Sequence, residues 1–301
     1  MSRKPDFVVI GAQKAASTFV QFCLSDHPDI WMPHGETTYF EDPDYGLAPP
    51  DYFDRLFRGR PEKIVGIKRP QYIGRSEVPS RICRDLPDAK LIAVLRDPVD
   101  RVVSAYYHYI RGGFLPVADP EAGLTKLLDG DQALLSAYPR SWEVLEFGLY
   151  HKHLQNFGPF FERGRIHVLL QEEITGDPVR ISADLYRFLQ VDDSVLPKRT
   201  SSRPQAVIYN TRRLALLRRM ALLTSRYNAD KTRSYGAKNA IARGVQIGYS
   251  LFDAAVLARV WPSARPTLSP RLRARLADFY RSDVEGLSLL INRNLSHWLP
   301  C

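Results

Sequence analysis

Lys14, Ser17 and Thr18 in FVVIGAQKAAST, Lys68 in KIVGIK and Arg96 in LIAVLR share two properties. Each can donate a hydrogen bond to an anionic oxygen, and each follows a short apolar run. The backbone N–H groups of Ala15 and Ala16, where a helix is expected to begin, would add the partial positive charge of a helix N-terminus. The chemistry such a set supports is the holding of phosphate- or sulfate-type oxygens. Taken singly, Lys14 reads equally as a surface lysine, Ser17 or Thr18 as a helix N-cap, and Arg96 as a partner for Asp97 or Asp100. Recurrence after three apolar runs favours one shared site. A Walker A loop fails on spacing: Lys14 stands three residues after Gly11 with no second glycine between them, and a base follows LIAVL where a Mg²⁺-binding acid would stand. The loop reads as one that neutralises an anion without a metal.

Such residues need strands to deliver them. FVVI, KIVGI, LIAVL and RIHVLL are continuously apolar at their centres rather than alternating, as expected of strands covered on both faces of a parallel sheet. Phe19, Phe22 and Cys23 lie at helical spacing after the first run. Val99, Val102, Val103, Tyr106, Tyr107 and Ile110 form a wide apolar stripe after the third, with Asp97 and Pro98 placed as N-cap and first helical residue. Alternating strands and helices predict an α/β protein of three layers, a central parallel sheet flanked by helices, with its ligand beyond the carboxyl ends of the strands. A further helix is expected in PTLSPRLRARLADFYRSDVEGLSLL, with Leu272, Leu276, Phe279 and Tyr280 inward. The expectation is one domain over 1–301: a core of about 5–195 and a basic, mostly helical region of about 196–301.

Composition sets the limits. With 301 residues, 45% hydrophobic and 25% charged, the chain has the make-up of an ordinary globular protein. MSRKPD runs into a strand without the apolar stretch of a signal peptide, and no window reaches the length of a membrane span. The expectation is a soluble, cytoplasmic protein. Cys23, Cys83 and Cys301 are an odd number without metal-ligand spacing, which predicts a reducing compartment and no metal site. The net charge of +9 is concentrated: between Lys198 and Ser250 twelve bases face one acid, Asp230. Such a block marks a solvated face or a surface that meets an anion. Within it, TRRLALLRRMALL reads as a basic amphipathic helix, with Leu214, Leu217 and Ala221 either packed against the sheet or set on a membrane surface next to a glycolipid acceptor.

The motifs, taken in order, resemble one family. GAQKAAST resembles the 5′-phosphosulfate loop of the sulfotransferases that use 3′-phosphoadenosine 5′-phosphosulfate (PAPS). LIAVLRDPVDRVVSAYYHYI is similar to their 3′-phosphate motif, an Arg after a strand with a Ser eight residues on. ETTYFED, IKRPQYI, GLYHKHLQNFGPFFERGRIHVLLQEEI and LYRFLQV also fit, best in the heparan sulfate and related carbohydrate branch and its bacterial relatives. The resemblance runs from Phe7 to Val191 and implies a P-loop-like fold. It implies that Lys14, Ser17 and Thr18, with the Ala15 and Ala16 amides, hold the phosphosulfate, and that Arg96 and Ser104 hold the 3′-phosphate. Many relatives carry Gly at the position of Ala16, and Ala is acceptable there only with a negative φ.

Glu36 matches the glutamate general base of the carbohydrate branch, against the alternative of a surface carboxylate or helix cap. Glu41 and Asp42 are fallback candidates, and His34 ranks second because another branch uses a histidine. Lys68 is expected near both sulfonate and acceptor. The implied reaction is an in-line displacement with no metal: Glu36 takes the hydroxyl proton while Lys14 and Lys68 stabilise charge on the sulfonate and departing phosphate. Arg203, Arg233 and Lys238 are weaker candidates for a cofactor-covering loop in KTRSYGAKNAIARG. The acceptor carries a free hydroxyl on a glycan, glycolipid or small molecule, with a lipid or natural-product alcohol as the alternative. Two rival readings are a P-loop kinase-like enzyme using ATP and Mg²⁺, and a non-catalytic anion- or nucleic-acid-binding protein. Against the latter stands the lack of any nucleic-acid module. Oligomeric state is not legible.

Overall fold

Phe7–Gly11 forms strand β1, buried along its whole length, as its continuous apolar run requires. The computed structural model describes residues 3–198 and 207–299. Four more strands complete a sheet: β2 (Ile30–Trp31), β3 (Ile64–Lys68), β4 (Lys90–Leu95) and β5 (Ile166–Leu170). The order is β2-β3-β1-β4-β5 and every pairing is parallel. The chain leaves β1 for β2 and β3 on one side, then crosses to β4 and β5 on the other. The carboxyl ends of β1 and β4 therefore flank the point where the strand order reverses, the usual ligand crevice of such sheets. β3 lies close against β1: a Cβ added at Gly66 would sit 2.1 Å from Cζ of Phe7. β2, only two residues long, is the strand of this sheet that periodicity missed.

Helix α1 (Ser17–Asp26) follows β1 directly. The chain divides into two compact units, the first made of residues 3–97, 149–198 and 283–295, the second of 98–148, 207–282 and 296–299. This division does not follow a single boundary near residue 195. In the first unit, Phe19, Val20, Cys23 and Leu24 of α1 join Phe7, Val9, Ile92 and Val94 of the sheet in one buried cluster. The cluster also takes Ile181, Leu185, Tyr186 and Leu189 from the helix Pro178–Leu189, and the Tyr186 hydroxyl donates to the Cys23 carbonyl at 2.7 Å.

The second unit is built on α2 (Pro98–Arg111), whose predicted stripe is buried throughout. Arg101 is buried on the same helix and donates to the Val144 carbonyl. Helix α3 (Thr211–Thr224), the TRRLALLRRMALL segment, is capped by Asn210 and buries Leu214 and Leu217. It packs against α2 rather than against the sheet. A hairpin, β6 (Ser225–Tyr227) and β7 (Ser234–Ala237), leads to α4 (Ala240–Phe252). The Arg213 guanidinium meets Asp253 through two bonds, Nε–Oδ1 at 2.9 Å and Nη2–Oδ2 at 2.6 Å, both residues buried. In the C-terminal helix, α5 (Pro270–Leu290), Leu272, Leu276 and Tyr280 are buried as expected. Phe279 is exposed instead, because it falls at the flank of the stripe that continues through Val284 and Leu287.

Candidate anion-binding and acceptor site

The site grows from the end of β1. The Ala12 amide donates to the Val94 carbonyl of β4 at 2.7 Å, fixing the loop to the neighbouring strand. Lys14 (φ 69°) and Ala16 (φ 74°) then take left-handed conformations. The condition that Ala16 needs a negative φ is not met: α1 begins at Ser17, so Ala16 is the N-cap, and the chain passes from strand to helix through the left-handed region. Left-handed residues interspersed in a short loop turn successive N–H groups toward a common concavity, a backbone arrangement suited to anions. Within the loop the Ala15 amide already donates to the Ala12 carbonyl at 3.2 Å.

The start of α1 is electrostatically open. Ala16 supplies no side-chain cap and the first turn contains no acid, so nothing in the helix itself offsets the partial positive charge there. Ser17 is buried and Thr18 half-buried. Gln13 is buried in the same loop, and its Oε1 has no hydrogen-bond partner among the described residues. A buried amide left in this state is available to a ligand, because rotation exchanges its acceptor for two donors.

β3 delivers Lys68, only 4% exposed, with Nζ 3.4 Å from the Thr18 hydroxyl oxygen. Burial lowers the Lys68 pKa, and the charge of Glu36 acts in the opposite sense. The loop that carries Glu36 is pinned to the same strand end, since the Thr37 amide donates to the Lys68 carbonyl at 3.0 Å. Lys68, Thr18 and Glu36 are thus gathered at the N-terminus of α1.

Arg69 organises the carboxylates. Its Nη1 lies 2.8 Å from Glu36 Oε2, its Nε 2.5 Å from Glu41 Oε1, and its Nη2 2.8 Å from Glu41 Oε2 and 2.7 Å from Gln71 Oε1. Burial opposes the guanidinium's charge, but the hydrogen bonds and charges of Glu41 and Glu36 outweigh it and hold the pKa above the usual arginine value. Glu41 is buried and gripped by two nitrogens, whereas the Glu36 side chain is 40% exposed and held by one. Asp42 pairs with Arg81 at 2.8 Å, and His34 stands exposed on the same loop. Arg69 was visible in IKRPQYI but carried no signal of its own, because its partners lie 28 and 33 positions away.

Arg96 follows β4, and its Nη1 donates to the Lys14 carbonyl at 3.3 Å, tying the two strand-end loops together. The hydroxyl of Tyr150, a buried residue, donates to the Arg96 carbonyl at 3.0 Å. The turn after Tyr150 is held by Asp283, whose carboxylate accepts the amides of His151 (3.0 Å) and Lys152 (2.9 Å). Burial raises the Asp283 pKa, with those amides acting against it. The first unit therefore contains Lys14, Ala15, Ala16, Ser17, Thr18, Glu36, Lys68 and Arg96. Ser104, buried on α2, belongs to the second unit, as do Arg233, stacked 5.7 Å from the Tyr235 ring centroid, and the exposed Lys238. Arg203 lies outside the described residues. Among the described residues no group of three or more His, Cys, Asp or Glu side chains is placed to hold a metal ion.

A parallel sheet with a left-handed loop after β1 and bases after β1, β3 and β4 defines the class of α/β proteins that hold phosphate-type groups at the strand ends. Residues 77–213 match the model of the sulfotransferase domain, a span that includes Arg96 and Ser104. The chain is 29% identical over 174 residues to mouse heparan sulfate glucosamine 3-O-sulfotransferase 3B1, covering 58% of this chain and 43% of that protein. It is 28% identical over 197 residues to human bifunctional heparan sulfate N-deacetylase/N-sulfotransferase 2, covering 63% of this chain and 22% of the relative. The solved sulfotransferase from Alicyclobacillus acidocaldarius superposes with a TM-score of 0.66 at 25% identity, covering 98% of this chain and 99% of the other. Over these spans the chain is similar to sulfotransferases. It spans less than half the length of these two curated relatives.

Proposed function

We propose that the protein moves a sulfonate group from PAPS to an acceptor hydroxyl on a carbohydrate or glycoconjugate. The observation that carries this reading is the gathering of Lys68, Thr18 and Glu36 at the open N-terminus of α1. A buried lysine whose charge is disfavoured gains most from an anion beside it, and the half-open Gln13 amide adds a donor. In this reading Lys14, Ser17, Thr18 and the loop amides hold the phosphosulfate, while Arg96 and Ser104 hold the 3′-phosphate. When bound, PAPS supplies an activated sulfonate with a phosphate as leaving group.

The chain's own residues then have distinct roles. Glu36 accepts the hydroxyl proton, and Arg69 keeps one of its oxygens, Oε2, in place so that Oε1 is the proton acceptor. Lys68 and Lys14 place positive charge where negative charge develops, inside a site formed by fixed backbone dipoles. Two of the relatives are named as heparan sulfate enzymes, which supports a sugar acceptor.

Calorimetric titration of the protein with adenosine 3′,5′-bisphosphate and with AMP tests the donor site. The bisphosphate is expected to bind far more tightly, with the preference lost in Arg96→Ala and binding much weakened in Lys14→Ala. Equal affinity for both nucleotides would sink the reading. Transfer of labelled sulfonate from PAPS to glycans, glycolipids and small alcohols then identifies the acceptor class.

A further inference from the structure

α4 is amphipathic the wrong way round for a helix that belongs to a core. Gln246 donates to the hydroxyls of Thr224 (2.9 Å) and Ser225 (3.1 Å), Tyr249 is half-buried, and Asp253, just past the helix end, takes Arg213. At spacings of three and four residues these form one face, so the polar side of the helix is the side turned into the unit. The opposite side carries Ile241, Val245, Ile247, Leu251 and Phe252, all exposed, Ile241 at 79% and Leu251 at 66%. No residue of α4 is buried. Beyond it Val256 and Val260 continue the exposed apolar surface. An apolar face of this extent, left open on a helix whose Gln246 side is turned inward, marks an interaction surface.

The charges around it select the occupant. Over residues 207–261 the chain has ten bases and two acids, and one of the acids, Asp253, is buried against Arg213. Arg243 lies on α4 itself, Arg259 beyond it and Lys238 before it, all exposed. The neighbouring hairpin adds Tyr235, an exposed ring with the guanidiniums of Arg226 and Arg233 at 5.4 and 5.7 Å from its centroid. An apolar face rimmed by bases, with an aromatic ring of amphipathic character at its edge, complements the apolar interior and anionic headgroups of a lipid surface. A second copy of the chain would bring the same bases against these. At 13 residues, α4 is well short of the ~20 needed to span a bilayer, so it would lie in the plane of the interface.

We propose that the α4 face, with the β6–β7 hairpin, docks this protein on an anionic lipid bilayer. Of the two readings of TRRLALLRRMALL, packing is the one α3 follows, with Leu214 and Leu217 buried and the helix set against α2, so the membrane contact proposed here is that of the next helix. Sedimentation of the full chain with vesicles of phosphatidylcholine, with and without about one third phosphatidylserine, tests this. The chain is expected to pellet with the mixed vesicles at low salt, and to do so at least roughly tenfold less in Ile241→Gln/Leu251→Gln and in Arg243→Gln/Arg259→Gln. Both variants should keep the melting temperature, because these side chains are exposed. Failure to pellet, equal pelleting with neutral vesicles, or undiminished pelleting of the variants would each overturn the proposal. A dimer in sedimentation velocity that Ile241→Gln/Leu251→Gln dissociates, without vesicle binding, would assign the face to a second copy. Vesicle partition reads neither donor binding nor turnover, so its outcome is independent of the sulfotransferase reading.

Discussion

Left-handed backbone costs an alanine about 1–2 kcal/mol that glycine does not incur. Ala16 accepts that cost at φ 74°, and Ala16→Gly should raise stability by about 0.5–1 kcal/mol, the remainder being offset by the greater freedom of glycine in the unfolded chain. A shift of the urea midpoint to higher concentration at unchanged slope is the expected measurement. The two carboxylates on Arg69 should separate in the same way that their surroundings do. Glu36→Gln loses a half-exposed contact, so stability should fall by less than about 1 kcal/mol while turnover falls by roughly a hundredfold or more, with bisphosphate affinity retained. Glu41→Gln removes the buried half of a two-bond ion pair and should destabilise by about 3–5 kcal/mol. If Glu36→Gln retains turnover, the base is His34 or another group. At this scale Lys14, Lys68 and Arg96 were readable as candidates from type and position, and Glu36 from the resemblance. Arg69 and the sign of φ at Ala16 were not, since both depend on which residues the fold brings alongside.

Strands announce themselves by burial, and elements show what the sequence could and could not carry. The four continuous apolar runs became β1, β3, β4 and β5, and the stripe after Arg96 became α2. β2 stayed hidden because Ile30 and Trp31 are too few for any period. Gly66 gave no warning either: its importance is the Phe7 ring lying across it, so Gly66→Ala should cost several kcal/mol or displace β1 from β3, measured as loss of thermal stability. On β5, His167 stacks on Phe188 with ring centroids 5.0 Å apart. Burial lowers its pKa below the ordinary 6.5, with Asp184 and Glu173 acting against the shift. The fold thus favours the neutral ring, and the unfolded chain binds the extra proton. The His167 contribution is complete above about pH 6.5 and declines as pH falls through that value toward the folded-state pKa. His167→Phe keeps an aromatic ring and removes the proton, so the stability difference between wild type and variant should change over that interval and be flat above it.

The whole molecule is set apart by its charge. A net +9 gives a general attraction for polyanions that any assay will register. Duplex DNA should be retained at low salt and lost steeply between roughly 50 and 200 mM, because that attraction rests on displaced counterions. Adenosine 3′,5′-bisphosphate, with far fewer charges, should lose much less over the same range. DNA binding that survives at the higher salt would return the non-catalytic nucleic-acid reading to contention. The interleaving of the two units was the part of the architecture least visible in the sequence, since no composition shift marks residues 98, 149 or 283. It has a consequence for how the protein is made. Residues 283–295 leave the ribosome after every other part of the first unit, and they include Asp283, which holds the turn after Tyr150, and Arg293, which pairs with Glu173. The sheet and its first loop can assemble during synthesis, but the backing of the Arg96 loop waits for those residues, so a growing chain halted before them would carry an Arg96 loop whose support through Tyr150 is not yet fixed.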